Sequence, residues 1–128
     1  MTVVLDASAL LAVFNDEPGG DRVIEVLDAA VINAVNLAEV AGGLVARGKS
    51  ESQARAAIRA LGCTVMEADH EMALDAGFLQ KLTKTSGLSL GDRFCLAQGR
   101  RLSAPVVTAD REWAKIADIC EVTVELIR

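Results

Sequence analysis

The chain has 128 residues, a formal net charge of −5, 52% hydrophobic and 24% charged residues, and a mean hydropathy of +0.33, which excludes a disordered polymer and is ample for a core without disulfide or metal staples. Aromatic residues are only 3% of the chain, which argues against a base-stacking reader of single strands. One His and three Cys exclude most zinc sites and leave any Ser-His or Cys-His mechanism resting on His70 alone.

Val3-Val4-Leu5 is a short apolar run and reads as a buried strand. Ala7, Leu10, Leu11 and Phe14 follow at helical spacing, with an end near Pro18-Gly19-Gly20. Val23, Val26, Leu27 and Ala30 repeat that template, and Val31-Ile32 is a second strand. Leu37, Val40, Ala41, Leu44 and Val45 make a further helix, stopped by Gly48. Ser50 and Gln53 form a capping box before the stripe Ala54, Ala57, Ile58 and Leu61. Cys63 to Met66 reads as a third strand. A helix from about Asp69 to Thr83 follows, with Leu74, Phe78 and Leu82 on one side and Gly87 as its breaker. Another helix begins near Gly91-Asp92. Pro105-Val106-Val107 is a fourth strand, Arg111 to Ala117 a short helix, and Val122-Thr123-Val124 a fifth strand. Phe14, Phe78, Phe94 and Trp113 are expected in the core. There is no repeat, low-complexity segment or linker, so residues 1–128 read as a single domain. Uniformly apolar strands alternating with amphipathic helices imply an α/β fold with a parallel sheet of roughly five strands, covered on both faces.

The three cysteines have no metal-ligand spacing and read as reduced thiols of a cytoplasmic protein. The first residues carry no signal-peptide pattern, and the longest uncharged stretch, Ala29 to Ala38, is far short of a membrane span. Charge is unevenly distributed: residues 1–40 hold seven acids and one base, Arg22, whereas residues 41–128 hold eleven acids and twelve bases. A basic coat over the whole molecule is excluded, while a basic rim around an acidic centre is not.

In a parallel sheet, ligands bind beyond the carboxyl ends of the strands, at the switch in strand order. Asp6 follows the first strand and Asp110 the fourth, with Ser8 and Thr108 each two residues away; Asp92 opens a helix and Glu39 lies one turn into another. Several carboxylates in one cleft require compensation, and a hard divalent cation supplies it. Ser8, Asn36 and Thr108 have the hydroxyls and amide to hold such ligands in place. A site of this kind supports phosphodiester hydrolysis without a His nucleophile. Each acid also has a plain reading: Asp6 as a helix N-cap, Asp92 as a complement to a helix dipole, Glu39 as a solvated residue opposite the apolar stripe, and Asp110 as a turn residue.

Four segments occur in a fixed order: LDASAL with Asp6, NLAEV with Glu39, LSLGDRFCLA with Asp92, and VVTAD with Asp110, the last continuing as REW with Trp113. Together they resemble the PIN-domain nucleases over essentially the whole chain, most nearly the VapC-type toxins of bacterial toxin–antitoxin pairs. The resemblance implies a three-layer α/β/α sandwich around the parallel sheet. It also implies a Mg²⁺- or Mn²⁺-dependent ribonuclease that cuts tRNA or rRNA, with Asp6, Glu39, Asp92 and Asp110 as the catalytic, metal-holding acids. It further implies a homodimer and an antitoxin whose tail covers the acidic cleft. Many relatives carry Asp where Glu112 stands here, and Glu112 is read as surface.

Lys81, Lys84, Arg93, Arg100 and Arg101 are the candidates for RNA phosphate contacts, set against the plain reading of a solvated face. Gly42-Gly43 inside a helix points to close packing or to a ligand near Glu39. Two other classes remain open: a silent PIN-like module that binds RNA or protein, and another metal-dependent phosphohydrolase. The first strand lacks a DxD pair, and no Walker A motif is present.

Overall fold

The computed structural model describes residues 1–128. The elements are β1 (Val3–Leu5), α1 (Ala7–Phe14), α2 (Gly20–Val26), β2 (Ala30–Asn33), α3 (Ala34–Ala46), α4 (Glu51–Leu61), β3 (Thr64–Met66), α5 (His70–Phe78), α6 (Gln80–Thr83), α7 (Leu90–Leu102), β4 (Val106–Thr108) and β5 (Val124–Leu126). A 3₁₀ turn at Leu27–Ala29 precedes β2, and another at Arg111–Lys115 follows β4.

The five strands form one parallel sheet in the order β3-β2-β1-β4-β5. Strand order reverses at β1, which lies between β2 and β4. Its register, Val4 against Val106 and Leu5 against Val107, carries Asp6, just past the end of β1, to the level of Thr108, the last residue of β4. Side chains alternate across the sheet as strand geometry requires. Val4 and Val106 face a core with Met72, Leu96, Trp113 and Ile116, while Val3, Leu5 and Val107 face a second core with Leu10, Val23, Val40 and Leu44. The result is the expected three-layer α/β/α sandwich.

Three expectations are corrected. The helix from Asp69 to Thr83 is divided at Leu79 into α5 and α6. Its buried side is Met72, Ala76, Leu79 and Thr83, whereas Leu74, Phe78 and Leu82 are exposed, Phe78 by 71%. Both stripes have helical spacing, and periodicity alone does not say which one meets the sheet. The last strand lies at Val124–Leu126 instead of Val122–Val124, because Cys120 and Val122 turn inward to the core around Trp113. The Arg111–Ala117 helix is the shorter 3₁₀ turn. Gly43 is explained by close packing, since a Cβ there would lie 3.0 Å from a Leu11 methyl; Gly42 faces open space and has no such reason.

Candidate functional site

Asp6 stands at the N-cap position of α1, yet its side chain makes no cap bond. Oδ2 instead accepts hydrogen bonds from Ser8 Oγ at 2.6 Å and from Thr108 Oγ1 at 2.9 Å. The two hydroxyls are themselves fixed, Ser8 Oγ accepting from the backbone N–H of Ala109 at 3.0 Å and Thr108 Oγ1 from that of Asp110 at 3.1 Å. Asp6 is 5% exposed, and its carboxyl is pushed up from the ordinary 3.8 to about 6. Burial is the largest cause; the charges of Asp92 and Glu39 push the same way, and the two hydroxyls pull back.

Asp92 is the third residue of α7. Its Oδ2 accepts the Ser89 N–H at 2.9 Å, while Ser89 Oγ accepts the Asp92 N–H at 3.1 Å. This capping box starts α7 and fixes the Asp92 carboxylate in its first turn. The sequence carries its signal as Ser89-x-x-Asp92, with Asp in place of the usual Glu or Gln of a capping box. Glu39 projects from α3, which Asn33 caps through Val35 N. Its Oε1 accepts from Asn36 Nδ2 at 3.0 Å, and the same amide donates to Gly91 O at 2.9 Å. Asn33 also donates to Gln98 Oε1 of α7 at 3.0 Å, both side chains being fully buried. A polar seam thus fixes α3, with Glu39, against α7, with Asp92.

Asp6, Glu39 and Asp92 therefore act on one region. Burial raises the thiol of Cys95, on α7, well above the ordinary cysteine range, and Asp6, Asp92 and Glu39 all add to that rise. Cys95 is accordingly a neutral, unreactive floor. Asp110 stands apart. It is exposed, and its Oδ1 caps the following 3₁₀ turn by accepting Glu112 N–H at 3.0 Å, as the plain reading has it. Glu112 pairs with Lys115 at 2.8 Å on the surface.

As the side chains stand, no three His, Cys, Asp or Glu groups close to ligating distance around one point. Each carboxylate is tethered to its own surroundings, Asp6 by Ser8 and Thr108, Glu39 by Asn36 and Asp92 by Ser89. The donor set nevertheless fits a hard cation. In all four acids one oxygen is engaged by the protein and the other has no protein partner: Oδ1 of Asp6, Oε2 of Glu39, Oδ1 of Asp92 and Oδ2 of Asp110.

The basic candidates separate. Arg93 is tied inward, Nε donating to Thr83 Oγ1 at 3.2 Å and Nη2 to Leu88 O at 3.0 Å, so it braces the segment leading into α7. Arg100 pairs with Glu121, and Arg101 with Asp69 and Asp75. Both sit at the far end of α7, about 12 Å along the axis from Asp92, so they do not line the acidic end. Lys81 and Lys84 are exposed, form no ion pair, and lie on the stretch that runs towards the start of α7.

A PIN-domain family model matches residues 3–119, and the chain belongs to the PIN domain family. Its fold is shared with the DNA-bound VapBC complex of Salmonella typhimurium, at 16% identity and a TM-score of 0.76, covering 100% of this chain and 99% of that one. It is also shared with VapBC-1 of nontypeable Haemophilus influenzae, at 20% identity and a TM-score of 0.74 over 99% and 98% of the two chains. VapBC-5 of Mycobacterium tuberculosis is similar at 23% identity and a TM-score of 0.64, over 100% and 99%. At these identities the likeness speaks for the fold. A comparison with curated proteins gave no match.

Proposed function

We propose that the chain is a Mg²⁺- or Mn²⁺-dependent endoribonuclease acting as the toxin of a toxin–antitoxin pair. The observation that carries this reading is the gathering of Asp6, Glu39 and Asp92 beyond the sheet's switch point, each with one oxygen held and one left free. Asp6, Glu39, Asp92 and, at the rim, Asp110 would hold one or two ions. When bound, such ions neutralise the carboxylates, polarise a phosphate oxygen and make hydroxide available at neutral pH. Ser8 and Thr108 orient Asp6 so that its second oxygen faces away from them. Asn36 holds Glu39, and the Ser89 backbone holds Asp92. Lys81 and Lys84 are the phosphate contacts retained for an RNA substrate such as tRNA or rRNA.

Solved structures of similar fold include a toxin–antitoxin complex from Klebsiella pneumoniae and a member of the VapBC family of toxin–antitoxin systems, which supports an antitoxin as partner, its tail covering the acidic end. The exposed stripe Leu74, Phe78 and Leu82 is the apolar face that the expected homodimer would bury. No helix is long and apolar enough to cross a membrane, and a cytoplasmic site of action remains part of the proposal.

The deciding experiment is Mn²⁺ calorimetry on partner-free wild type and Asp6→Ala, followed by side-by-side incubation with RNA, DNA and a chromogenic phosphate. The expected result is Mn²⁺ binding that Asp6→Ala loses, with cleavage of RNA alone. RNA binding without metal or cleavage would return the silent-module reading, and cleavage of DNA or the small phosphate would make it a different phosphohydrolase.

A further inference from the structure

We infer that Gly91 is a positioning residue whose bare Cα forms the seat for the Glu39 carboxylate; the inference rests on the reading of this site as a metal centre. Gly91 is the second residue of α7, buried, with a helical backbone and no positive φ. Alanine is the better helix former at such a position, so glycine is not required by backbone conformation and what it provides is room. A Cβ built there would lie 2.5 Å from Cδ, Oε1 and Oε2 of Glu39. Gly99, on the same helix, makes room for the Val106 side chain of β4, and Gly43 for Leu11. Of these three packed glycines, only Gly91 makes room for a charge.

Asn36 closes the seat from the other side. It is fully buried, and its single amide nitrogen donates to both Glu39 Oε1 and Gly91 O. Both partners are acceptors, so the amide orientation is determined, and it leaves Asn36 Oδ1 buried without a partner. A buried acceptor is left unpaired so that both N–H groups serve the carboxylate and the helix end beneath it. Glu39 is the flexible, exposed member. A methyl at position 91 therefore displaces the carboxylate from its place beside Asp92 instead of unfolding the chain.

Two readouts test this. By NMR on the metal-free protein, hydrogen exchange of the Asn36 side-chain amide should be slow in wild type and roughly tenfold or more faster in Gly91→Ala, with thermal stability retained. By calorimetry, Mn²⁺ affinity should fall roughly 10- to 100-fold in Gly91→Ala, the range for groups that orient ligands. Asn36→Ser, which frees the same carboxylate from the opposite side, should give a similar loss, and the double variant little more than either alone. Unchanged amide exchange together with unchanged Mn²⁺ affinity overturns the inference, as does full additivity of the two substitutions. If wild type binds no Mn²⁺ while the Asn36 amide still loosens in Gly91→Ala, the seat stands and the metal reading under Proposed function fails.

Discussion

The two ends of α7 handle charge in opposite ways. At its C-terminal end Arg100 meets Glu121 and Arg101 meets Asp69 and Asp75, so every charge there has an opposite partner within the chain. At its N-terminal end Asp92 joins Asp6 and Glu39, and no cation of the chain pairs with any of them. The first end is an ordinary surface. The second is held together by hydroxyls, amides and backbone N–H groups that leave its charge uncompensated, an arrangement that makes physical sense when something from outside supplies the positive charge.

The largest expected effect that sharpens this contrast comes from the acids themselves. Asp6→Asn and Asp92→Asn should each lower RNA cleavage by more than roughly 100-fold, exceeding the usual loss for residues that only orient a ligand. Circular dichroism should show an intact fold in both. Wild-type rates in Asp92→Asn would break the catalytic assignment.

A smaller loss, roughly 10- to 100-fold in Mn²⁺ affinity, is expected for Ser8→Ala. That variant removes one of the two hydroxyls that favour ionised Asp6, so the carboxyl should titrate higher still, which ¹³C NMR of Asp6 would read directly. The same group gives a pH dependence. Folded, Asp6 titrates at about 6 instead of 3.8, so between those values the folded state binds the proton more tightly than the unfolded chain. Stability of the metal-free protein should therefore fall as pH rises through that window, reaching roughly 3 kcal/mol less at neutral pH. Thermal melts across pH should show the fall in wild type and lose it in Asp6→Asn. Mn²⁺ competes with that proton, so its affinity should drop by up to about tenfold for each pH unit below about 6. The smallest effect is expected at the other end of α7. Arg101→Ala breaks two half-exposed pairs and should lower stability by less than about 1 kcal/mol, leaving cleavage unchanged. A large loss of cleavage with the fold intact would show that the basic end also touches RNA.

The sheet and the placement of Asp6 and Asp92 were legible because short apolar runs and the residues that end them are local signals. Glu39 was not legible from periodicity, which made it solvated. It is indeed exposed, and what makes room for its carboxylate is a glycine 52 positions later in the chain, a relation no helical wheel contains. The face of α5 and α6 was misread because Leu74, Phe78 and Leu82 match the buried stripe in both spacing and polarity. Asp110 was legible as a motif residue, yet its side chain does what a turn aspartate does.

The strand order also governs timing. β1 is central, but the hydroxyl that steadies Asp6 belongs to Thr108, 102 residues further on. At translation rates of 5–20 residues per second, roughly 5–20 s separate the synthesis of those two residues. Throughout that interval the nascent chain carries its first acid without the strand that completes the pocket. The hydroxyl pair that fixes Asp6 is therefore complete only once β4 has been made, and if the site cuts RNA as proposed, that activity waits for residue 108.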